Sequence, residues 1–402
     1  MEKIVVFLFE VYPVETYAKR YDFHTLIENG YQIHVCNMAS VISEWHAVDS
    51  QPTFNNEKIE YFCFKTKDDF KKYIYNLGAD AFIWSTFQLT AEYYWVFNVI
   101  SRHRYGFICN VDYVFPRTNA GRKKKRHLPT LSWHRYSNAI LLRMPKKYIP
   151  VRKADAVITY GIDDVQRKLN NVLYDKHTVV ELTNTIDYCE SIDALMSGRT
   201  LSFLPDRYIL FIDEFLPFHP DAIKLGQIID AERYYFEVES FLHRLERLLG
   251  CPIIVAAHPK ADYSKHPECY KGMKIVQFKT AELISNATIV VTHLSLAIGM
   301  ILASKKPYMV ITTNDLNDVI DEEGVFEDQE ADIQRKAINI SHNLADSSVE
   351  KYVDEAFKIG ETYYEEQLRK YKLPDNHPNA LMSLGQIMDK AMRRVEDEEK
   401  SV

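Results

Sequence analysis

A pair of carboxylates in the second half of the chain can carry acid–base chemistry. Asp213 and Glu214 directly follow the apolar run of residues 208–212. A carboxylate at the end of a buried strand can act as a general base on an acceptor hydroxyl, because burial raises its pKa toward neutrality. The same pair can instead cap a helix or accept hydrogen bonds from loop amides. The sequence therefore predicts Asp213 or Glu214 as a base and leaves both readings open.

A histidine follows the next apolar run of the second half. His258 comes directly after residues 251–257, and Pro259 and Lys260 follow it. An imidazole beside a cation can hold a phosphate or assist a phosphate leaving group, although a histidine at a strand end is often only structural. We predict that His258, Pro259 and Lys260 belong to a donor-binding site.

Hydroxyl and histidine side chains follow a further apolar run. Thr292, His293 and Ser295 stand where a predicted strand leads into a predicted helix. Open backbone amides at a helix start favour a phosphate, and the same residues can serve as an ordinary N-cap. Thr280 and Glu282 lie at another helix start, where Glu282 can accept from a sugar hydroxyl or simply favour the helix dipole. We predict all five as donor-binding residues.

The elements that position these residues are predicted from the alternation of short apolar runs with helix-period segments. This alternation indicates parallel strands joined by crossover helices, an α/β fold, and it restarts near residue 207. We predict one Rossmann-like domain at 1–200, a second Rossmann-like domain at 205–375, and a helix at 376–402 that packs back on the first domain. Because ligands bind at the carboxyl ends of parallel strands, the polar clusters should meet at one edge.

Composition excludes several classes of protein. The chain has 402 residues and a net charge of −7, which favours two domains and argues against nucleic-acid binding. The six cysteines are scattered without a CxxC pair, and no apolar stretch reaches the roughly 20 residues of a spanning helix. GxGxxG and P-loop patterns are absent, and no DxD-type metal motif follows a strand. We therefore expect a cytoplasmic protein with no metal and no cofactor beyond its donor.

The order of these motifs resembles that of the bacterial sialyltransferases and polysialyltransferases. Those enzymes have an acidic D/E-D/E-G motif, an HP motif and a Ser-Ser/Thr motif in a GT-B fold. The resemblance covers roughly residues 207–313, a stretch that is also similar to the C-terminal halves of surface-polysaccharide biosynthesis proteins. Phe215 stands where the first motif has glycine, and Thr292 is separated from Ser295.

This resemblance implies a GT-B glycosyltransferase with two Rossmann-like domains facing across a cleft and C-terminal helices. Residues 1–200 would form the acceptor domain, and residues 205–375 would form the nucleotide-sugar domain. It implies Asp213 or Glu214 as base, His258 as a catalytic residue that binds the phosphate of CMP and is the candidate acid, and Thr292 with Ser295 completing the phosphate site. The reaction would be an inverting, metal-independent transfer. The donor would be a CMP-activated acidic sugar, such as a sialic-acid-like nonulosonate, and the acceptor a bacterial surface glycan.

Other donors and other classes of protein stay open on the sequence. A UDP-sugar or CDP-polyol donor fits an HP-type phosphate site equally well. A non-catalytic GT-B-like partner in polysaccharide assembly fits the departures from the motifs. A nucleotide-sugar epimerase of similar fold would turn over its substrate without an acceptor.

The first half of the chain carries candidate acceptor contacts. Glu10, Tyr12, Thr16 and His24 follow the first predicted strand, and we predict that they bind the acceptor. The alternative is that one of these groups is the base, which would leave Asp213 a structural or donor-binding role. The basic region 117–153 can hold a phosphorylated or lipid-linked acceptor, rest on the inner face of a membrane, or be a solvated loop.

Overall fold

The structure, a computed structural model, divides into two compact units within residues 3–184 and 186–370. It describes residues 3–9, 18, 21, 23–42, 56–78, 81–87, 89–102, 106–111, 140–141, 149, 151–160, 173, 178–184, 186–198, 201–219, 222–223, 227–259, 261–295, 297–319, 325–342 and 344–370.

The described part of the first unit contains a seven-stranded sheet and four helices. Every neighbouring pair of strands is parallel, in the order β3-β2-β1-β4-β5-β6-β7. The strands are β1 (Lys3–Phe9), β2 (Tyr31–Asn37), β3 (Ile59–Cys63), β4 (Ala81–Ser85), β5 (Gly106–Val111), β6 (Ala156–Tyr160) and β7 (Val179–Thr183). The helices are α1 (Phe23–Glu28), α2 (Ala39–Ile42), α3 (Lys67–Asn76) and α4 (Tyr94–Ile100).

Apolar side chains cover both faces of this sheet. Val6 and Leu8 of β1 belong to one core cluster, and Val5 and Phe7 belong to another. Successive side chains of a strand point to opposite faces, so an unbroken apolar run is buried on both sides. The alternation of strands and helices expected from the sequence is confirmed here.

The second unit repeats the architecture with a parallel sheet in the order β10-β9-β8-β11-β12-β13. Its strands are β8 (Ile209–Ile212), β9 (Ile253–Ala257), β10 (Lys274–Gln277), β11 (Ile289–Thr292), β12 (Tyr308–Thr312) and β13 (Ile338–Asn339). Its helices are α5 (Ile186–Ser197), α6 (Ala231–Leu249), α7 (Thr280–Asn286), α8 (Ile298–Ala303), α9 (Asn314–Val319), α10 (Val325–Ile333), α11 (Asp346–Phe357) and α12 (Glu361–Leu368).

Helix α6 begins and ends on local signals in the sequence. The Asp230 side chain caps its first turn by accepting a hydrogen bond from the Arg233 amide, 3.1 Å away. Gly250 ends it in the left-handed conformation, with a φ of 61° that glycine adopts without strain. The helix buries Tyr234 and Tyr235 of its first turns against the sheet.

The second unit begins earlier than the predicted linker at residues 197–207. Helix α5 packs against α7 and α8, so it belongs to the second unit although we placed it before residue 200. The predicted helix at 376–402 lies outside the described residues. In the described part of the chain, no helix combines the length and the apolar character needed to cross a membrane.

Candidate functional site

Three neighbouring strands of the second sheet end level with one another. Ile212, the last residue of β8, pairs with Ala256 of β9 and with Thr292 of β11. Adjacent strands lie roughly 4.8 Å apart, so the residues that follow them leave the sheet side by side. The structure therefore brings the acidic pair, the His258 segment and the segment after Thr292 to one edge.

Strand alternation separates the two carboxylates of the acidic pair. Ile209 and Phe211 pack in the core cluster that contains the buried face of α6. Asp213 continues their side of the strand, whereas Glu214 leaves on the opposite side. By the same alternation His258 leaves β9 on the Glu214 side, because Val255 of β9 packs in the α6 cluster.

Asp213 is buried and fully engaged by hydrogen-bond donors. Only 2% of its surface is exposed. Its Oδ1 accepts from the Tyr270 hydroxyl at 2.8 Å, and its Oδ2 accepts from the Tyr263 hydroxyl and from the Phe215 amide at 3.0 Å. Burial raises the pKa of Asp213, and these hydrogen bonds oppose that rise. The contacts favour a structural role for Asp213 over the alternative of a base.

Glu214 has the environment of an acid–base group. It is partly exposed, and the Ser295 side chain hydrogen-bonds its carboxyl. Burial raises the pKa of Glu214 to about 7, the neighbouring Asp213 adds to the rise, and the bond from Ser295 opposes it. A carboxyl that titrates near neutrality can both take and release a proton at physiological pH.

The raised pKa of Glu214 gives a stability prediction that is independent of activity. Between pH 4.5 and about 7 the folded state binds more protons at Glu214 than the unfolded state, so its contribution to stability is lost as pH rises through this window. Glutamine does not titrate. We expect Glu214→Gln to exceed wild type in the free energy of unfolding by about 1–3 kcal/mol at pH 8.

Urea unfolding of both proteins from pH 4.5 to pH 8 measures this difference. The advantage of the variant should shrink steadily as the pH falls toward 4.5. A difference that stays constant over the whole range would contradict the raised pKa.

The His258 segment is held by a side chain from the neighbouring strand. Gln277, at the end of β10, shares the two hydrogens of Nε2 among the carbonyls of His258, Pro259 and Ala261, at 2.9, 3.1 and 3.1 Å. The Ala261 amide also donates to the His258 carbonyl at 2.9 Å, which closes a turn. His258 is partly exposed and Pro259 is exposed, whereas Lys260 lies outside the described residues.

A second histidine, His219, joins His258 at this edge. The two ring centroids lie 4.8 Å apart with an interplanar angle of 72°. His219 follows a 3₁₀ turn, Leu216–Phe218, that begins after the acidic pair, and it is partly exposed. We did not predict it as a donor-binding residue. Its signal in the sequence is the same His-Pro dipeptide that marks His258.

The structure buries two of the predicted donor-binding residues. Thr292 is completely buried, and its hydroxyl has no hydrogen-bond partner. His293 is 2% exposed, with Nδ1 2.9 Å from the Ile311 carbonyl and Nε2 2.7 Å from the Tyr234 hydroxyl. Because a carbonyl only accepts, Nδ1 donates and Nε2 accepts from Tyr234. Burial lowers the pKa of His293 to about 4, so it is a neutral core residue at physiological pH.

Ser295 contacts both the turn before α8 and the carboxyl of Glu214. Its Oγ accepts from the Ala297 amide at 3.2 Å just before α8, and the same side chain contacts Glu214. Thr280 begins α7 and is partly buried, while the Glu282 carboxylate lies 3.4 Å from Lys279 Nζ. Glu282 therefore forms an ion pair next to its own helix start.

The structure describes only one of the four candidate acceptor residues, His24. His24 is exposed on α1, with its Nδ1 3.5 Å from a Glu28 oxygen. Glu10, Tyr12 and Thr16 lie outside the described residues, as does most of the basic region 117–153. Within that region, Arg152 forms an ion pair with Asp155 at 2.7 Å. Among the described residues, no group of three or more His, Cys, Asp or Glu side chains is arranged to hold a metal ion.

Comparison with known proteins identifies the fold. No family model and no curated protein matches the chain. A variant of the wall teichoic acid polymerase TagF matches its structure with a TM-score of 0.59 at 11% identity, over 99% of this chain and 90% of that one. The fold is that of GT-B enzymes.

Two further structures share it. Arabidopsis thaliana UGT89C1 in complex with UDP matches with a TM-score of 0.51 at 8% identity, over 98% of this chain and all of that one. Methanocaldococcus jannaschii UDP-GlcNAc 2-epimerase matches with a TM-score of 0.51 at 10% identity, over 97% and 99% of the two chains. The prediction of a GT-B fold with two Rossmann-like units is confirmed, and the likeness to sialyltransferases stays a prediction.

Proposed function

We propose that this protein is a GT-B transferase that moves a sugar or polyol unit from a cytidine-nucleotide donor to a bacterial surface-glycan acceptor. The observation that supports it most is the meeting of Glu214, Ser295 and the His219–His258 pair at the carboxyl edge of the second sheet. Sheets of this class bind ligands at that edge, because strand ends and loop amides present donors there.

Each group at the edge has a proposed chemical role. Glu214 accepts the proton of the acceptor hydroxyl as that oxygen attacks, since its pKa of about 7 leaves much of it ionised at neutral pH. His258 and His219 hold the phosphate of the leaving nucleotide through hydrogen bonds that strengthen as negative charge develops. We propose a metal-independent transfer in which imidazoles carry the electrostatic stabilisation.

Two cytidine nucleotides are the leading donors. The motif order supports a CMP-activated acidic sugar, whereas the likeness to TagF, which has been studied with CDP-glycerol, supports a CDP-polyol. Both share the cytosine base and differ in the number of phosphates. A UDP-sugar is the alternative donor. The proposal includes a lipid-linked acceptor that the basic region 117–153 would bind.

A thermal-shift panel of CMP, CDP, UMP, UDP and GDP tests this donor class. A ligand at about 100 times its Kd stabilises the folded state by about 2.7 kcal/mol, which raises Tm by several degrees. We expect a cytidine nucleotide to raise the Tm of wild type, and His258→Ala to abolish the shift. The matched control is His243→Ala, an exposed histidine of α6 paired with Glu246, which should keep the shift.

Other outcomes redirect or reject the proposal. Selective stabilisation by UDP would replace cytidine with uridine as the donor nucleotide. No stabilisation by any of the five nucleotides would favour the non-catalytic partner. Turnover of a nucleotide sugar without an acceptor would favour an epimerase.

A further inference from the structure

Four tyrosines surround the buried carboxylate of Asp213. This tyrosine cluster consists of Tyr234, Tyr235, Tyr263 and Tyr270. Ring centroids lie 5.1 Å apart between Tyr234 and Tyr235, 5.1 Å between Tyr235 and Tyr270, and 5.7 Å between Tyr263 and Tyr270. The first two come from α6, and the other two come from the segment that follows His258.

Two of these hydroxyls connect the His258 segment to the acidic pair. Tyr263 and Tyr270 each donate to a different oxygen of Asp213. Asp213 directly precedes Glu214, so the same bonds fix the backbone from which Glu214 projects. At its other end the segment is held by Gln277, which binds three of its carbonyls. The segment that follows His258 is thus held by Gln277 at one end and by Asp213, the residue before Glu214, at the other.

The turn after the acidic pair depends on the same cluster. Phe215 has a φ of 55°, a left-handed conformation that costs a non-glycine residue energy. Its amide donates to Asp213, and its ring packs against Tyr263 with centroids 5.2 Å apart. These contacts hold a turn that glycine would adopt more readily.

We propose that Tyr263 and Tyr270 are positioning residues that hold the His258 segment against the Asp213–Glu214 pair through their hydroxyls. Phenylalanine would fill the same apolar space, so what the site requires from these tyrosines is the hydrogen bond. The consequence for turnover rests on the proposed transferase function, whereas the anchoring of the segment does not.

Loss of either hydroxyl also changes the charge beside Glu214. With one donor fewer, the pKa of Asp213 rises further, because burial is then opposed by fewer hydrogen bonds. Whenever Asp213 is protonated it no longer adds to the pKa of Glu214, which should then fall by the part that Asp213 contributes, while burial, the larger cause, keeps it raised. Among the described residues, the titratable groups that interact with Asp213 are Glu214, Cys269 and the four tyrosines of the cluster.

The experiment compares Tyr263→Phe and Tyr270→Phe with Tyr208→Phe as the matched control. Tyr208 is buried in the same unit, and its hydroxyl donates to the Leu283 carbonyl at 2.6 Å, so its variant also loses one buried hydrogen bond. We expect amide hydrogen exchange in residues 258–271 to rise about tenfold or more in the two test variants. The control should leave exchange in that segment unchanged.

Turnover supplies the second readout. In both test variants we expect kcat to fall about tenfold, because the two reacting groups are held less accurately, and the Glu214 limb of the pH–rate profile to move to lower pH. Tyr208→Phe should change neither quantity. Tyr263 is partly exposed, so Tyr263→Phe carries the test even if Tyr270→Phe does not fold.

Unchanged exchange in residues 258–271 of folded Tyr263→Phe would overturn the anchoring role. If Tyr208→Phe lowers kcat as much as the two test variants do, and the pH limb does not move, then Tyr263 and Tyr270 only stabilise the fold. If wild type turns over no nucleotide donor, the proposed function fails, and hydrogen exchange still decides whether the tyrosines anchor the segment.

Discussion

Glu214→Gln is expected to lower donor turnover by about 10²–10⁴-fold, the range that a lost general base costs. Glutamine keeps the size of the side chain and its contact with Ser295 but cannot take a proton from the acceptor. Nucleotide affinity should stay close to that of wild type, since the variant keeps His258 and His219. The measurement is kcat and Kd for the cytidine donor identified by the thermal-shift panel.

The control for this experiment is Glu246→Gln. Glu246 lies on α6 and pairs with His243 at 3.0 Å, so its substitution also removes one carboxylate from the same unit. We expect wild-type kcat in the control. A Glu214→Gln protein with near-normal turnover would show that another group takes the proton, and the candidate acceptor residues Glu10 and His24 would be the first to substitute.

Asp213→Ala is expected to lower the free energy of unfolding by about 3–5 kcal/mol, the cost of removing one partner from a buried charged network. The substitution leaves the hydroxyls of Tyr263 and Tyr270 and the amide of Phe215 without their acceptor. Each such buried group costs about 1–3 kcal/mol. Urea unfolding at pH 7 measures the loss, and a value below about 1 kcal/mol would contradict the buried network.

Two comparisons make the stability result specific. Glu214→Ala should cost far less, because Glu214 is partly exposed and carries a raised pKa in the folded state. Combining Asp213→Ala with Tyr263→Phe and Tyr270→Phe should recover part of the loss, since removing both partners of a hydrogen bond costs less than removing one. If the triple variant loses the sum of the free energies of unfolding that the single variants lose, the network is contradicted.

The fold was largely predictable because local patterns of apolar and polar residues indicate its strands and helices. The apolar runs that became β8, β9 and β11 are short and bounded by polar residues, so the strand ends could be placed directly. Parallel connection then puts those ends at one edge, which is why Glu214, His258 and Ser295 were expected near each other. The limit of the second unit was misplaced, because α5 shows its partners only in three dimensions.

The division of roles between Asp213 and Glu214 was not visible in the sequence. The run of residues 208–212 is apolar on both faces, so alternation alone does not say which face α6 covers. Only the packing of Ile209 and Phe211 against α6 decides it. Ile289 and Val291 of β11 pack in the same cluster, so alternation also places His293 on the α6 side.

Long-range side-chain contacts account for the other parts of the site that the sequence did not indicate. Tyr263 and Tyr270 lie in an irregular segment far from Asp213 along the chain, and no local period marks them as its partners. Phe215 occupies a left-handed turn without the glycine that usually signals one. His219 stands in a His-Pro dipeptide, as His258 does, but only the contact between the two rings shows that both residues lie at the same edge of the sheet.

A crystal structure of Glu214→Gln with cytidine diphosphate tests the central claim most directly, because it shows where the nucleotide phosphate binds. We expect phosphate oxygens within hydrogen-bond distance of the His258 imidazole, at the edge formed by β8, β9 and β11, with residue 214 and Ser295 beside them. Cytidine diphosphate bound elsewhere on the protein, with this edge empty at saturating nucleotide, would contradict the assignment of the site.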